Sequence, residues 1–394
     1  MEDNQTDKPL PPLRLRSHHP DSEKEITLRI PVINGGMGVG VTGPALASAI
    51  TNEGGGGVLT GVVLGYPFQK ILGKLTDKKP FEANRLALEE WITTTKTKCD
   101  GGFVGVNIMV ALNDFKDMAH VSAKSGVDLI IAGAGLPMAL PEIVNKFPDT
   151  MIAPIISSVK AARVMVKKWM AKGRAPDAII YESIHHSGGH QGGSIDDILT
   201  GMHQPRDVVS ETRKMLDDQG LEDVPVIAAG GIWDKNDILE ALSWGAQGVQ
   251  MASRFLLTVE AGLEFGGIKL FKKLFMENDI PTILERSPAG LPSRAVETPF
   301  SKRFAAIDNE IIKEPHECPS VCLASCDKQK SIYCILDHLT EALKDNLEKG
   351  LFFAGSNVGK KGISKKILPV KELMDLLAHG EPAGIRAAAG AHVA

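Results

Sequence analysis

Residues 177–193 read DAIIYESIHHSGGHQGG, a short apolar run followed directly by a loop with four glycines and three histidines. An apolar run of this length is typical of a parallel strand that is covered on both faces. Glycines let a ligand approach the backbone closely, and histidine exchanges protons near neutral pH. The segment therefore predicts a buried strand that ends at a functional loop.

The same pattern recurs along most of the chain. Strand-like runs are predicted at residues 30–34, 57–63, 103–109, 128–132, 151–156, 177–182, 224–229 and 248–252. Helical patterns lie between them at residues 44–53, 82–95, 114–125, 139–146, 159–172, 206–219 and 236–244. Eight strands that alternate with helices predict an α/β fold, a (β/α)8 TIM barrel, rather than an open doubly wound sheet. The glycine, serine and histidine clusters follow strands, which is where barrel enzymes place their active sites.

Other segments flank or interrupt this pattern. We predict a flexible N-terminal lead-in at 1–25, the barrel at 26–280, an inserted cysteine-containing segment at 281–361, a final barrel helix at 362–380 and a flexible Ala/Gly-rich tail at 381–394. The final helix is predicted because apolar residues recur at helical spacing.

Composition narrows the class of protein. The 394 residues carry a net charge of −4 and only 5% aromatic side chains, so we expect no nucleic-acid partner. We find neither a secretory apolar region nor the roughly 20-residue apolar run of a membrane span, and we expect a cytoplasmic protein. The sequence leaves the oligomeric state open.

Of the loops that follow predicted strands, two later ones point to a phosphate-bearing ligand, and the first glycine-rich loop does not. Gly38, Gly40 and Gly43 spell G-x-G-x-x-G, but the acidic residue that a dinucleotide-binding fold needs on the next strand is absent. Gly230–Gly231 and Ser253 follow the seventh and eighth predicted strands, where barrels commonly bind phosphate. The alternative is a tight turn and a helix cap, and the combined placement favours phosphate.

Seven short motifs are spread over most of the chain: PVINGGMG (31–38), GVN (105–107), SGGHQGG (187–193), PVIAAGGI (225–232), GVQMASRFL (248–256), SPAGLPSRAV (287–296) and GLFFAGSNVG (350–359). In sequence and in order they resemble the motifs of the nitronate monooxygenase family, whose relatives include FMN-dependent enoyl-ACP reductases.

The resemblance implies an FMN-binding barrel and assigns roles to individual residues. It places Gly36, Met37, Gly38, Asn107 and Gly189 at the flavin. It implies that the FMN phosphate is bound by Gly230, Gly231, Gly248 and Ser253. His190 matches the family's active-site histidine, the base in the monooxygenases.

His185 and His186 stand where the family more often has small or acidic residues, so we expect them to shape the substrate site. His186 and His190 have the i, i+4 spacing of a helical metal pair. The intervening Ser-Gly-Gly makes a helix there unfavourable.

Cys318, Cys322, Cys326 and Cys334 lie close together in sequence, which favours a metal over disulfides in a cytoplasmic protein. The paired C-x2-C spacing typical of zinc ribbons is absent, whereas iron–sulfur clusters are commonly held by four thiolates. We predict an iron–sulfur cluster, with zinc and ordinary buried cysteines as alternatives.

The preferred function is an FMN-dependent oxidoreductase that oxidises a small nitronate or nitroalkane with O2. The alternative is a reductase of an enoyl thioester or similar acceptor, with NAD(P)H or an electron carrier as donor. Two further hypotheses are a flavin- or phosphate-binding barrel without catalysis and a flavin-free phosphosugar isomerase.

Overall fold

A computed structural model describes residues 9–277, 282–303, 318, 320–324, 326, 333–360 and 363–380. The strands are β1 Leu13–Arg16, β2 Glu25–Leu28, β3 Val32–Asn34, β4 Gly57–Thr60, β5 Val104–Met109, β6 Leu129–Gly133, β7 Met151–Ile156, β8 Ile179–Glu182, β9 Gly189–His190, β10 Val226–Ala229, β11 Gly248–Met251, β12 Thr282–Arg286 and β13 Pro292–Val296. The helices are α1 Pro44–Asn52, α2 Gly65–Lys70, α3 Pro80–Cys99, α4 Phe115–Lys124, α5 Leu140–Val144, α6 Val159–Met170, α7 Ile195–Leu199, α8 Pro205–Asp217, α9 Lys235–Ser243, α10 Ser253–Leu256, α11 Lys269–Met276, α12 Pro299–Lys302, α13 Ile335–Leu343 and α14 Val370–His379.

Eight parallel strands form the centre of the molecule, in the order β3-β11-β10-β8-β7-β6-β5-β4. The two ends of this order meet, because Gly56 donates to Val32 O at 2.9 Å and Asn34 donates to Gly56 O at 3.2 Å. The sheet is thus closed, and each of the eight strands lies within a predicted strand or within one residue of it. The predicted TIM barrel is confirmed.

Alternate residues along most of the barrel strands face two separate apolar cores. On β6, Leu129 and Ile131 belong to the cluster that fills the barrel, whereas Ile130 and Ala132 belong to the cluster between strands and helices. A strand covered on both faces is continuously apolar for this reason.

A hairpin of β1 and β2 covers the amino ends of the barrel strands. Leu13 and Leu15 are 0% and 1% exposed, and they pack into the core of the barrel. The prediction of a flexible lead-in is therefore wrong for Leu13–Arg16, because alternate leucines there bury one face of the hairpin.

The chain after α11 returns to the opposite end of the barrel. β13 pairs antiparallel with β12 and with β9, so the hairpin lies against the loop that follows β8. α14 then packs against α1 and α9, in the position of the eighth barrel helix. No helix in the described residues combines the length and the apolar character needed to span a bilayer.

Candidate functional site

The loops at the carboxyl ends of the strands enclose a cavity of about 370 Å³. Its walls include residues from the β3, β5, β8 and β11 ends, from α11 and α13, and from the segment near Phe353. The loop after β3 lies very close to β5, since a Cβ on Gly36 would come within 2.4 Å of the Cβ of Asn107. Only glycine fits at position 36, and the backbone there forms a side-chain-free surface suited to a flat ring.

His190 lines this cavity from β9. Its Nε2 lies 2.7 Å from Ser287 Oγ, and its ring contacts Phe353 edge-on with centroids 5.3 Å apart. Burial lowers the pKa of His190 to about 4. The imidazole is therefore neutral at physiological pH and is able to accept a proton.

Ser287 determines which nitrogen of His190 remains for a ligand. The Oγ of Ser287 accepts a hydrogen bond from the backbone N–H of Ala289 at 3.1 Å, and the same atom contacts Nε2. Nδ1 is then left for a ligand. A proton on Nε2 leaves Nδ1 as a base, and a proton on Nδ1 makes it a donor.

A smaller cleft of about 60 Å³ adjoins the cavity, next to the loops that follow β10 and β11. Gly230 and Gly231 have φ values of +92° and +82°, which favour glycine. A Cβ on Gly230 would lie 2.4 Å from Ser187 Oγ. The cleft is closed by the 355–357 segment, in which Gly355 donates to Ser253 Oγ at 3.0 Å and Asn357 donates to Gly231 O at 2.8 Å.

Three buried polar atoms around these two spaces have no hydrogen-bond partner among the described residues: Ser187 Oγ, Gln191 Oε1 and Gln250 Oε1. Buried polar groups are nearly always paired, so their position indicates a polar ligand. FMN has a flat ring, a polyhydroxy chain and a phosphate, and this site provides a glycine surface, orphaned polar atoms and a glycine-rich cleft. The residues present fit the cofactor.

Most of the predicted cofactor residues lie at these two spaces. Gly36, Met37, Gly38, Asn107 and Gly189 line the cavity with His190. Gly230, Gly231 and Ser253 line the cleft.

The prediction that Gly248 binds phosphate is wrong. Gly248 begins β11, at the end of the strand opposite to the cleft, and a Cβ there would lie 2.9 Å from the side chain of Leu13. Gly248 therefore packs against the hairpin of β1 and β2 at the amino ends of the barrel strands.

Neither His185 nor His186 lines the large cavity, and their predicted role in shaping the substrate site stays a prediction. His186 lies at the cleft, where its Nδ1 is 3.0 Å from Ser356 Oγ, and burial lowers its pKa. His185 points its Nε2 at Met202 O, 2.6 Å away. The chain turns within Ser183–Ser187, so sequence neighbours of His190 face a different side of the loop.

The cysteines do not present a metal site in the described part of the chain, where no three His, Cys, Asp or Glu side chains are placed to hold an ion. Burial, together with the charges of Cys334, Cys318 and Cys326, raises the pKa of the Cys322 thiol to about 12. The iron–sulfur cluster stays a prediction.

Sequence reasoning missed Gln250 and Ser287. Gln250 was recognisable as a polar residue near the carboxyl end of a barrel strand. Ser287 lies about a hundred positions from His190, and no local signal links the two.

Comparison with known proteins places the chain in a family. The family model described as nitronate monooxygenase matches residues 21–380. The chain belongs to the nitronate monooxygenase family. A curated relative, (3aS,4S,5R,7aS)-5-hydroxy-7a-methyl-1-oxo-octahydro-1H-indene-4-carboxyl-CoA dehydrogenase from Rhodococcus jostii, is 30% identical over 68% of this chain, and the match spans 63% of that relative, less than two thirds of its length.

A second relative, a probable nitronate monooxygenase from Bacillus subtilis, is 22% identical over 90% of this chain and 96% of its own length. Among solved structures, FabK from Thermotoga maritima superposes with a TM-score of 0.62 at 23% identity, covering 92% of this chain and 96% of that one. That likeness supports the barrel fold.

Proposed function

We propose that the protein is an FMN-dependent oxidoreductase that oxidises a small nitronate or nitroalkane substrate with O2. The proposal rests on a neutral histidine, His190, whose ring is held by Ser287. This histidine lines a cavity that is also lined by Gly36 and Asn107. The adjoining cleft supplies a place for the cofactor phosphate.

FMN supplies the acceptor for hydride or single electrons, and the protein orients the reactants and handles protons. With its proton on Nε2 and donated to Ser287 Oγ, His190 presents the lone pair of Nδ1 to the substrate. That lone pair takes the α-proton of a nitroalkane. With a nitronate, no proton is removed; here the imidazole carries its proton on Nδ1 and donates it in a hydrogen bond to a nitronate oxygen, while Nε2 accepts from the Ser287 hydroxyl. Phe353 contacts the histidine ring edge-on and restricts its rotation.

The second candidate is an oxidoreductase of an acyl or enoyl thioester, with NAD(P)H or an electron carrier as redox partner in the reductive direction. The observation that favours it is the 30% identity, over 68% of this chain, to the carboxyl-CoA dehydrogenase from Rhodococcus. Here His190 donates from Nδ1, with Ser287 donating to Nε2, and polarises the thioester carbonyl.

Anaerobic spectroscopy of the flavin separates these functions. Bleaching by a nitronate such as that of 2-nitropropane supports the first, and bleaching by NAD(P)H or a saturated acyl-CoA alone supports the second. His190→Gln should slow the productive bleaching by about 10²-fold or more, while His120→Gln, on the exposed face of α4, should leave it unchanged. A protein that binds no flavin, or a His190→Gln variant with full activity, contradicts the proposal.

The exclusion of membrane and nucleic-acid partners and the cytoplasmic location remain predictions from composition. Fluorescent tagging at the amino terminus in the native host tests the location.

A further inference from the structure

A short 3-10 turn at Leu263–Phe265 packs against the amino end of α1. The Oε1 atom of Glu264, in this turn, accepts a hydrogen bond from the backbone N–H of Ala45 at 2.7 Å, across 219 positions of sequence. Ala45 lies in the first turn of α1, and the N-cap residue Gly43 has no side chain that could accept from it. A carboxyl group from a distant part of the chain therefore caps this helix.

The last two glycines of the G-x-G-x-x-G motif are required by the same turn. A Cβ on Gly43 would lie 2.4 Å from Glu264 Oε2, and a Cβ on Gly40 would lie 2.5 Å from the ring of Phe265. In a dinucleotide-binding fold, the helix that follows this motif receives the pyrophosphate at its amino end. Here the Glu264 carboxyl group occupies the corresponding place.

The loop between β3 and α1 is fixed at both of its ends. At its start, Gly35 donates to Met251 O of the neighbouring strand at 2.9 Å, and at its end the Glu264 carboxyl group holds the first turn of the helix. Met37 and Gly38, between these two points, line the large cavity. The contact of Glu264 therefore bears on the shape of a cavity wall.

The Glu264 carboxyl group is held at this position at an energetic cost. Its Oε2 atom is buried and has no hydrogen-bond partner among the described residues, and burial raises the pKa of the group. An unpaired buried acceptor is unfavourable, whereas the side chain of Leu263 in the same turn is 54% exposed. The turn thus directs its one carboxyl group inward, at the loop.

We propose that Glu264 is a positioning residue, which holds the loop of residues 35–43 in the shape that accepts the flavin ring. This inference rests on the proposed FMN-dependent function. Glu264 lines neither the large cavity nor the cleft. Its effect on a bound flavin is therefore transmitted through the loop.

Three variants of the full-length protein test this role. Glu264→Ala removes the acceptor, Glu264→Gln keeps an acceptor oxygen for the Ala45 N–H, and Leu263→Ala is the matched control in the same turn. FMN affinity of the apoprotein is measured by quenching of flavin fluorescence, and visible circular dichroism at saturating FMN reports the surroundings of the ring. Hydrogen exchange of the flavin-free protein compares residues 35–47 with the remote helix α8.

Glu264→Ala should weaken FMN binding by about tenfold, because a helix N–H loses its partner. It should also change the visible circular dichroism of the bound flavin and speed exchange in residues 35–47 while leaving α8 unchanged. Glu264→Gln should stay within about threefold of wild type in FMN affinity, and Leu263→Ala should match wild type in all three measurements.

The inference is overturned if Glu264→Ala binds FMN as tightly as wild type with the same circular dichroism. It is also overturned if exchange quickens in α8 as much as in residues 35–47, because that result marks a general loss of stability. Both results leave the proposed function standing, since wild-type protein still binds FMN. Wild-type protein that binds no FMN overturns the function and the inference together.

Discussion

Glu182 makes a quantitative prediction for the stability of the flavin-free protein. Burial raises the pKa of its carboxyl from near 4.5 to about 7. In the folded state the carboxyl therefore holds its proton at pH values where the unfolded chain has lost it. The native state binds more protons than the unfolded state, so the free energy of unfolding falls as pH rises from about 4.5 through 7.

One pKa unit corresponds to about 1.36 kcal/mol, so the full loss above pH 7 is about 3 kcal/mol. The partial exposure of the side chain to the cavity makes this an upper figure. The Glu182→Gln variant has no ionisable group at this position, so its free energy of unfolding should not show this loss. We expect the free energy of unfolding of the variant to differ little from that of wild type at pH 4.5 and to exceed it by up to about 3 kcal/mol at pH 8.

Urea unfolding of both apoproteins at four pH values between 4.5 and 8 measures the difference, with midpoints compared at equal slopes. A difference that is the same at every pH would refute the reasoning, because it would show that the carboxyl keeps its ordinary pKa. A wild-type protein that gains stability relative to the variant as pH rises would show that a cation pairs with Glu182.

Four further predictions concern the site and the cysteines. Because burial lowers the pKa of His190 to about 4, kcat/KM should stay level from pH 8 to about 5 and fall only below that; an inflection near 6.5 would contradict it. Ser287→Ala should lower kcat/KM by about 10- to 100-fold with unchanged flavin affinity, and Ser287→Thr should restore part of the loss; ¹⁵N NMR of His190 in wild type reads the tautomer directly. Gly231→Ala should weaken FMN binding by about tenfold or more, because φ is +82° and the new Cβ meets His186 at 3.1 Å; Gly220→Ala, with φ of +71° and open space, controls for backbone strain alone. Iron and sulfide analysis of anaerobically purified wild type and Cys322→Ser tests the predicted cluster, and iron-free wild-type protein that still binds flavin would reject it.

The barrel was predictable because its strands are buried on both faces and most of its helices are amphipathic. β6 shows this well, since Leu129–Gly133 is apolar without interruption while its residues serve two separate cores. The position of Gly36 beside the ring site was predictable for a related reason, because a glycine-rich loop directly after a strand lies at the mouth of a barrel.

The directions in which the side chains of the site point were not predictable from the sequence. Gly248 belongs to the same short motif as Ser253, yet the two lie at opposite ends of the strand and only Ser253 reaches the cleft. His185 and His190 are five positions apart, yet the turn between them sends one ring to Met202 O and the other into the cavity. Which way a loop side chain points depends on contacts distant in sequence, such as that of His190 with Ser287.

The eighth barrel helix has a consequence for how the chain folds. β11 ends at Met251 and α14 begins at Val370, more than a hundred residues later, whereas most strand-to-helix connections take 2 to 6 residues. Each doubling of a loop costs about 0.6 kcal/mol of closure entropy, so this closure costs about 2 to 3 kcal/mol more than a short one. Contacts of such long range form late. Ser287 and Phe353 lie within the same connection, so the pocket around His190 is completed only when that long connection has packed against the mouth of the barrel.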